Sequence, residues 1–230
     1  MAFTLATYNL AADRQPQATA LAAYRRLLRQ ARVVVTQEPE VLARNGTLRA
    51  LPGVVAPLPA MPELDRRPIL YKPGRGDTRM AFGGAGVHEL ERWPLKGWHA
   101  RRLIPWLILT DPHTHQRFLI INVHLLHAAP AGSARDRAND LIVEGMIHVA
   151  DKEGLPTVAL GDFNRRPGHQ GNNALEVRGF TLHSPGGTHG PRQVPIDYAA
   201  VRGLDVLDAE VLTGYPGDHD PVLYRLRAPR

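Results

Sequence analysis

Pro156-Thr157-Val158-Ala159-Leu160-Gly161-Asp162-Phe163-Asn164 is the stretch on which both the fold and the chemistry of this chain turn. Its first five residues make a short apolar run of the kind that forms a buried strand. Asp162 and Asn164 follow two residues apart, so a carboxylate and an amide emerge where the chain leaves a sheet and loop groups can converge on a ligand. A second stretch, Asp218-His219-Asp220-Pro221-Val222, sets a carboxylate beside an imidazole directly ahead of the apolar run 222–226. Four more positions repeat the arrangement in chain order. Asn9 ends the strand 3–8, Glu38 ends 33–36, His124 ends 118–123, and Asp197 opens 196–201.

Outward from these termini, β-branched and apolar content with Gly, Pro and Asp punctuation predicts further strands at 68–71, 85–91, 104–110 and 205–212. Asp111-Pro112-His113-Thr114-His115 reads as the turn that joins 104–110 to 118–123 as a hairpin. Two helices stand out by an apolar stripe. One carries Ala20, Ala23, Tyr24, Leu27 and Leu28, the other Ala134, Ala138, Leu141, Ile142 and Val149. Ser133 is placed to cap the second helix and Gly154 to close it. Many strands interspersed with few helices imply an α/β (α+β) protein in which two sheets pack face to face with helices outside.

A chain of 230 residues suits one domain, 1–230, with a sizeable core. No linker, repeat or low-complexity tract divides it, and the Pro-rich stretch 51–68 reads as an irregular loop. The N-terminus enters a strand pattern without the basic start of a signal peptide, and no apolar run approaches membrane-spanning length. The expectation is a cytoplasmic monomer with no membrane association and no obligate protein partner. The absence of cysteine excludes disulfides and thiolate metal sites while leaving the compartment open. A net charge of +6 and an isoelectric point near 10.0 favour a polyanionic partner such as nucleic acid. An arginine-rich composition of the kind a GC-rich genome produces gives the same charge.

The ordered series from Thr7-Tyr8-Asn9-Leu10 to Asp218-His219-Asp220-Pro221-Val222 resembles the endonuclease/exonuclease/phosphatase superfamily, metal-dependent phosphoesterases that include pancreatic-type deoxyribonuclease and AP endonucleases. The resemblance implies a four-layer α/β sandwich of two mixed sheets flanked by helices, with the active site at one edge of the packed sheets. It also implies a Mg²⁺ or Mn²⁺ cofactor and metal-assisted attack of water on a phosphoester. Glu38 is then the leading metal ligand, with Asn9 helping through its amide oxygen. Asp162 orients or deprotonates the water, and Asn164 bonds the phosphoryl oxygen or a second metal. His219 lies against the scissile phosphate, held by Asp197, either as general base or as a charged contact. Asp218 ligates a second cation or reaches the metal through water. His124 matches the histidine that ends a strand in the deoxyribonuclease pattern, and His127, which begins a His-small-small-Pro segment, competes for that role. Read on residue type alone, Glu38 suits the start of a helix, and Asp162 with Asn164 suits a tight turn. His113 and His115 form a His-x-His in a hairpin turn, an arrangement that rarely binds metal without further ligands.

Basic and aromatic residues cluster at 92–102 and again at Arg165-Arg166. Arg101 or Arg102 stands roughly where the resemblance implies a phosphate-contacting arginine before a strand, and Arg101, Arg102, Arg165 and Arg166 are expected to rim the site and contact substrate phosphate. Trp93 and Trp98 suit either base stacking or the core. Glu40 stands where deoxyribonuclease carries an arginine, and Arg67 near the place of its minor-groove tyrosine, which weakens the likeness in duplex grip. The aromatic–Cys–Asp–Arg signature of the inositol phosphatases is absent. A nuclease acting on DNA or RNA is the leading expectation. A phosphatase or phosphodiesterase on a small or lipid phosphoester is the alternative, and a binding module that kept the fold without the chemistry is the third.

Overall fold

The computed structural model of the chain describes residues 2–11, 14–39, 51, 68–72, 80–90, 102–127, 130 and 132–228. Its strands are β1 (Ala2–Asn9), β2 (Val33–Gln37), β3 (Ile69–Tyr71), β4 (Ala81–Glu89), β5 (Leu103–Thr110) and β6 (Arg117–His124). They continue as β7 (Thr157–Asp162), β8 (Thr181–His183), β9 (Asp197–Arg202), β10 (Asp205–Val211) and β11 (Val222–Arg227). Helices α1 (Gln17–Gln30), α2 (Ala134–Glu153) and α3 (Asn173–Val177) lie between them. One sheet has the order β10-β11-β1-β2-β3 and the other β4-β5-β6-β7-β9-β8. Both are mixed: β1 pairs parallel with β2 and antiparallel with β11, while β6 pairs parallel with β7, which is antiparallel to β9.

Period-2 alternation along the strands sorts the apolar residues into separate layers. Phe3, Leu5, Val33, Val35 and Tyr224 from the first sheet meet Leu107, Phe118, Ile120, Val158, Leu160 and Ala199 from the second in a buried cluster between the sheets. The opposite face of the first sheet, with Ala6, Tyr8 and Val34, is covered by Ala20, Ala23, Tyr24 and Leu27 of α1. The opposite face of the second, with Leu119, Ile121 and Ala159, is covered by Ile142, Val143 and Met146 of α2. The result is helix, sheet, sheet, helix, the four-layer sandwich expected from the sequence.

Local chemistry sets the ends of α2. Ser133 accepts a hydrogen bond from the Asp136 backbone N–H at 3.1 Å, and Gly154 leaves the helix in the left-handed conformation at φ 62°. Asp111 builds the hairpin turn by accepting from the backbone N–H of His113 at 2.9 Å. Among the described residues three short elements went unread in the sequence, β8, α3 and the 3₁₀ turn Gln170–Asn172. Three to five residues carry too little periodicity to stand out, and β8 is a strand because β9 offers it an edge. No helix among the described residues is long and apolar enough to cross a membrane.

Candidate active site

The same alternation that builds the core between the sheets also builds the site. On β7 the inward positions run Val158, Leu160, Asp162, and on β6 they run Phe118, Ile120, Asn122, His124. On β1 they run Phe3, Leu5, Thr7, Asn9, and on β2 Val33, Val35, Gln37. Each strand is apolar for most of its length and polar at one end, and the register lines those ends up. His124 pairs with Asp162 and Asp162 with Asp197 across β6, β7 and β9, while Asn9 pairs with Gln37 across β1 and β2. Gln37 donates to Asn122 at 2.8 Å, tying the two sheets together just beneath the site.

Asp162 sits at the centre and is 1% exposed. Its Oδ2 accepts from the Asn9 amide at 3.0 Å and the Asn164 amide at 3.1 Å, and its Oδ1 accepts from the Asn164 backbone N–H at 2.8 Å. Burial and the neighbouring Asp197 carboxylate push its pKa up to about 7, against the opposing pull of His219 and these hydrogen bonds. Gly161 makes the placement possible. A Cβ there would lie 1.9 Å from the Val123 carbonyl oxygen, and the backbone φ is +153°. Asn164 has φ 47° and Glu38 φ 52°, so two of the predicted site residues hold left-handed backbone where strands leave the sheets.

His219 faces this carboxylate. Its Nδ1 lies 2.8 Å from Asp197 Oδ2, and because that oxygen only accepts, Nδ1 carries the proton. Asp197 is in turn held by the Thr188 hydroxyl at 2.7 Å. Burial lowers the His219 pKa, but the bond to Asp197 and the charges of Asp197, Asp162 and Asp218 outweigh it and raise the value to about 9. One ligand-capable atom from each of Asp162, Asp197 and His219 lies within 4.8 Å of the others. The Asp197 Oδ1 atom is buried with no hydrogen-bond partner among the described residues.

His124 also reaches the centre, with Nε2 3.6 Å from Glu38 Oε1 and 3.9 Å from Asp162 Oδ2. His127 is exposed beyond the end of β6, whereas His124 Nε2 points at Glu38 and Asp162. A carboxylate oxygen from Glu38 and amide oxygens from Asn9 and Asn164 are hard donors of the kind Mg²⁺ and Mn²⁺ take, and few enough to leave positions for water. The Asn9 Oδ1 already accepts from the Ala11 backbone N–H at 3.2 Å and keeps its second lone pair for a cation. The donor set fits the implied metal.

Three expectations need correction or relocation. Both amide hydrogens of Asn164 are spent, on Asp162 and on the Leu125 carbonyl at 3.0 Å, so it cannot donate to a phosphoryl oxygen as it stands. Its amide oxygen remains for a cation. Arg165 does not rim the cleft. Its side chain is 3% exposed and bonds Asp136 at 2.6 Å and Asp140 at 2.9 Å, anchoring the start of α2, because two carboxylates one turn apart on that helix capture it. Arg102 is buried too, just ahead of β5. Arg166 is exposed just after the Asp162 segment. Arg101, Trp93, Trp98, Glu40 and Arg67 lie outside the described residues. His113 and His115 stay in the exposed hairpin turn, away from any cluster of potential ligands found among the described residues.

Asp218 is at the site's margin, with Oδ2 3.3 Å from the Arg14 guanidinium and 3.8 Å from His189 Nε2. Thr188, His189 and Arg14 escaped the sequence reading. They lie in loops with no periodicity, and only tertiary pairing brings them in. Thr188 and His189 lie on a segment that pairs with 218–220: the Asp220 N–H donates to the Thr188 carbonyl at 2.7 Å and the Gly190 N–H to the Asp218 carbonyl at 2.8 Å.

Comparisons with known proteins bear on the fold and the family. A conserved protein of unknown function from Enterococcus faecalis V583 superposes with a TM-score of 0.77 at 21% identity, covering 98% of this chain and 100% of that one. The mannosyl-6-phosphatase Bt3783 of Bacteroides thetaiotaomicron superposes with a TM-score of 0.70 at 23% identity, covering 97% and 99%. TDP2 of D. rerio, in complex with a single-strand DNA product, superposes with a TM-score of 0.70 at 12% identity, covering 99% of each chain. At these identities the likeness establishes the fold. No curated protein matches in sequence. The model of the Endonuclease/Exonuclease/phosphatase family matches residues 6–219, a span that runs from β1 to His219, and the chain belongs to that family of phosphoester hydrolases.

Proposed function

We propose that this protein is a Mg²⁺- or Mn²⁺-dependent phosphodiesterase that hydrolyses nucleic acid, DNA or RNA. The observation that carries the chemistry is the convergence of the Asp162 cluster and the His219–Asp197 pair on one small space at the sheet ends. Asp162, locked by three hydrogen bonds and with a pKa near neutrality, is positioned to orient a water and take its proton. His219, its Nδ1–H committed to Asp197, presents Nε2 to the phosphate and acts as a charged donor to the oxygen on which negative charge develops. Two groups whose surroundings hold them at different pKa values divide the base and acid roles. Glu38 and Asn9 would hold the cation, with the Asn164 amide oxygen available to a second one. A cation bound there supplies positive charge that neutralises the phosphate and the leaving oxygen.

The nucleic-acid part of the reading rests on the net charge of +6 and on the shared fold with a protein seen bound to a DNA product. A second reading, hydrolysis of a small phosphoester, is favoured by a specific observation: Arg165, expected on the rim, is consumed inside the fold. A sugar phosphatase with the same fold points the same way. Incubation of the protein with plasmid, single-stranded DNA, RNA, a sugar phosphate and a chromogenic diester, with Mg²⁺, Mn²⁺ or EDTA, decides between them. Nucleic-acid cleavage whose apparent KM rises steeply with salt supports the first reading. Turnover of the sugar phosphate alone, insensitive to salt, replaces it with the second.

A further inference from the structure

A second group of potential ligands stands beside the first and uses a residue the phosphoesterase chemistry leaves idle. His189, Asp218 and His219 each offer one ligand atom, and these atoms lie within 4.8 Å of one another. His189 Nε2 and Asp218 Oδ2 are 3.8 Å apart, too long for a hydrogen bond. Two ligands of one tetrahedral Zn²⁺, each about 2.1 Å from the ion, stand roughly 3.4 Å apart, so a small inward movement brings both into place.

The arrangement is rigid where a metal site needs rigidity. His189 and His219 form an isolated antiparallel bridge, which puts their side chains on the same side, and their rings lie 4.3 Å apart. Backbone hydrogen bonds on both sides of His189, from Asp220 to Thr188 and from Gly190 to Asp218, fix it against the His219 segment. Asp197 occupies His219 Nδ1 and so aims Nε2 outward, the carboxylate–histidine support that orients imidazole ligands. The Asp218 carboxylate is also paired with Arg14, but Arg14 is 65% exposed and its side chain is free to swing into solvent.

We propose that His189, Asp218 and His219 form a binding site for an imidazole-preferring divalent cation, Zn²⁺ being the representative, distinct from the oxygen-rich site at Glu38. Two imidazoles and one carboxylate suit Zn²⁺ or Co²⁺ and are a poor set for Mg²⁺, which takes oxygen ligands at short, strictly octahedral distances. Occupancy engages His219 Nε2 and withdraws it from the phosphoester, so the site works as a brake. The binding half stands by itself, and the brake rests on the proposed role of His219.

The two halves are tested separately. Co²⁺ is titrated into the full-length Glu38→Gln protein, which lacks the leading oxygen ligand, and the visible d–d bands report coordination. One saturable band is expected, weakened at least about tenfold by adding either His189→Ala or Asp218→Asn, since even losing a supporting partner of a ligand costs that much. Thermal unfolding of each variant confirms that it is folded. Equal Co²⁺ affinity with and without His189→Ala overturns the site and assigns the ion to Asp162, Asp197 and His219. In the activity arm, Zn²⁺ should inhibit Mg²⁺-supported hydrolysis, and the inhibition constant, taken relative to each variant's own rate, should rise at least about tenfold in His189→Ala. If Co²⁺ binds as expected but Zn²⁺ does not inhibit, the brake is overturned while the site stands. If no substrate of the panel is turned over, the phosphoesterase reading fails while the Co²⁺ result is untouched.

Discussion

The space between the two sheets has two ends, built by the same strands in the same alternation, and they do opposite things. At one end Phe3, Leu5, Leu107, Val158 and Leu160 exclude water and hold the sheets together. At the other end the next inward positions are Asn9, Gln37, Asp162 and Asp197, which bring polar and charged groups into the same depth of burial, and the half-buried His124. Leu160 and Asp162 are two residues apart on one strand face, so a step of about 6.8 Å separates a stabilising position from one that burdens the fold. Stability and chemistry are divided along each strand, and the strained backbone at Glu38 and Asn164 lies on the chemical side.

This division can be broken most severely at the chemical end. Asp162→Asn or His219→Ala should lower the hydrolysis rate by about a hundred- to ten-thousandfold with the fold intact, measured as kcat beside thermal unfolding. Near wild-type turnover in either variant would place the reaction elsewhere. The same variants sharpen the contrast through pH. Asp162 binds its proton more tightly in the folded state, so its contribution to stability is complete below about pH 4 and lost as pH rises through about 7. His219 behaves likewise, its contribution complete below about 6.5 and lost as pH passes about 9. Metal-free protein should therefore lose stability across pH 4–9 in urea titrations. Asp162→Asn should flatten the lower part of that decline and His219→Ala the upper part.

At the apolar end, Leu160→Ala should cost about 2–5 kcal/mol of unfolding free energy and leave kcat close to wild type where the variant is folded. A loss of kcat with unchanged stability would erase the distinction between the two ends. Arg165→Ala belongs with Leu160→Ala despite its charge. Removing a buried guanidinium from Asp136 and Asp140 should cost about 3 kcal/mol and leave KM unchanged, whereas Arg166→Ala should raise KM for a polymeric substrate without touching stability. A KM effect at Arg165 would return it to the rim.

The smallest effect is expected at the metal. Mn²⁺ at about a hundred times its Kd should stabilise the wild type by roughly 2.7 kcal/mol, and Glu38→Gln should abolish most of that increment. An undiminished increment in the variant would move the primary cation away from Glu38.

Much of this was legible in the chain itself. Ten of the eleven strands among the described residues could be read because apolar and β-branched runs report burial directly, and the polar residue closing several of these runs marked the sheet edge where a site forms. Asn9, Glu38, His124, Asp162, Asn164, Asp197, Asp218 and His219 were singled out from their places at strand ends together with the family resemblance of their ordered series, and the described structure gathers them at one end of the sandwich. Arg165 was misjudged because a sequence shows that an arginine follows a site motif but not that two carboxylates of a distant helix are waiting for it. Thr188, His189 and Arg14 were invisible for the complementary reason. Their loops carry no periodic signal, and it is the pairing of 188–190 with 218–220 that brings Thr188 and His189 to the site. Hydrophobic period is a local property, so the sequence alone determined most of the strands, the two-sheet architecture and the polar residues at strand ends. The pairing of segments far apart in the chain is a collective property, and only the tertiary structure decided which charges meet, which donors are spent and which imidazole stands beside His219.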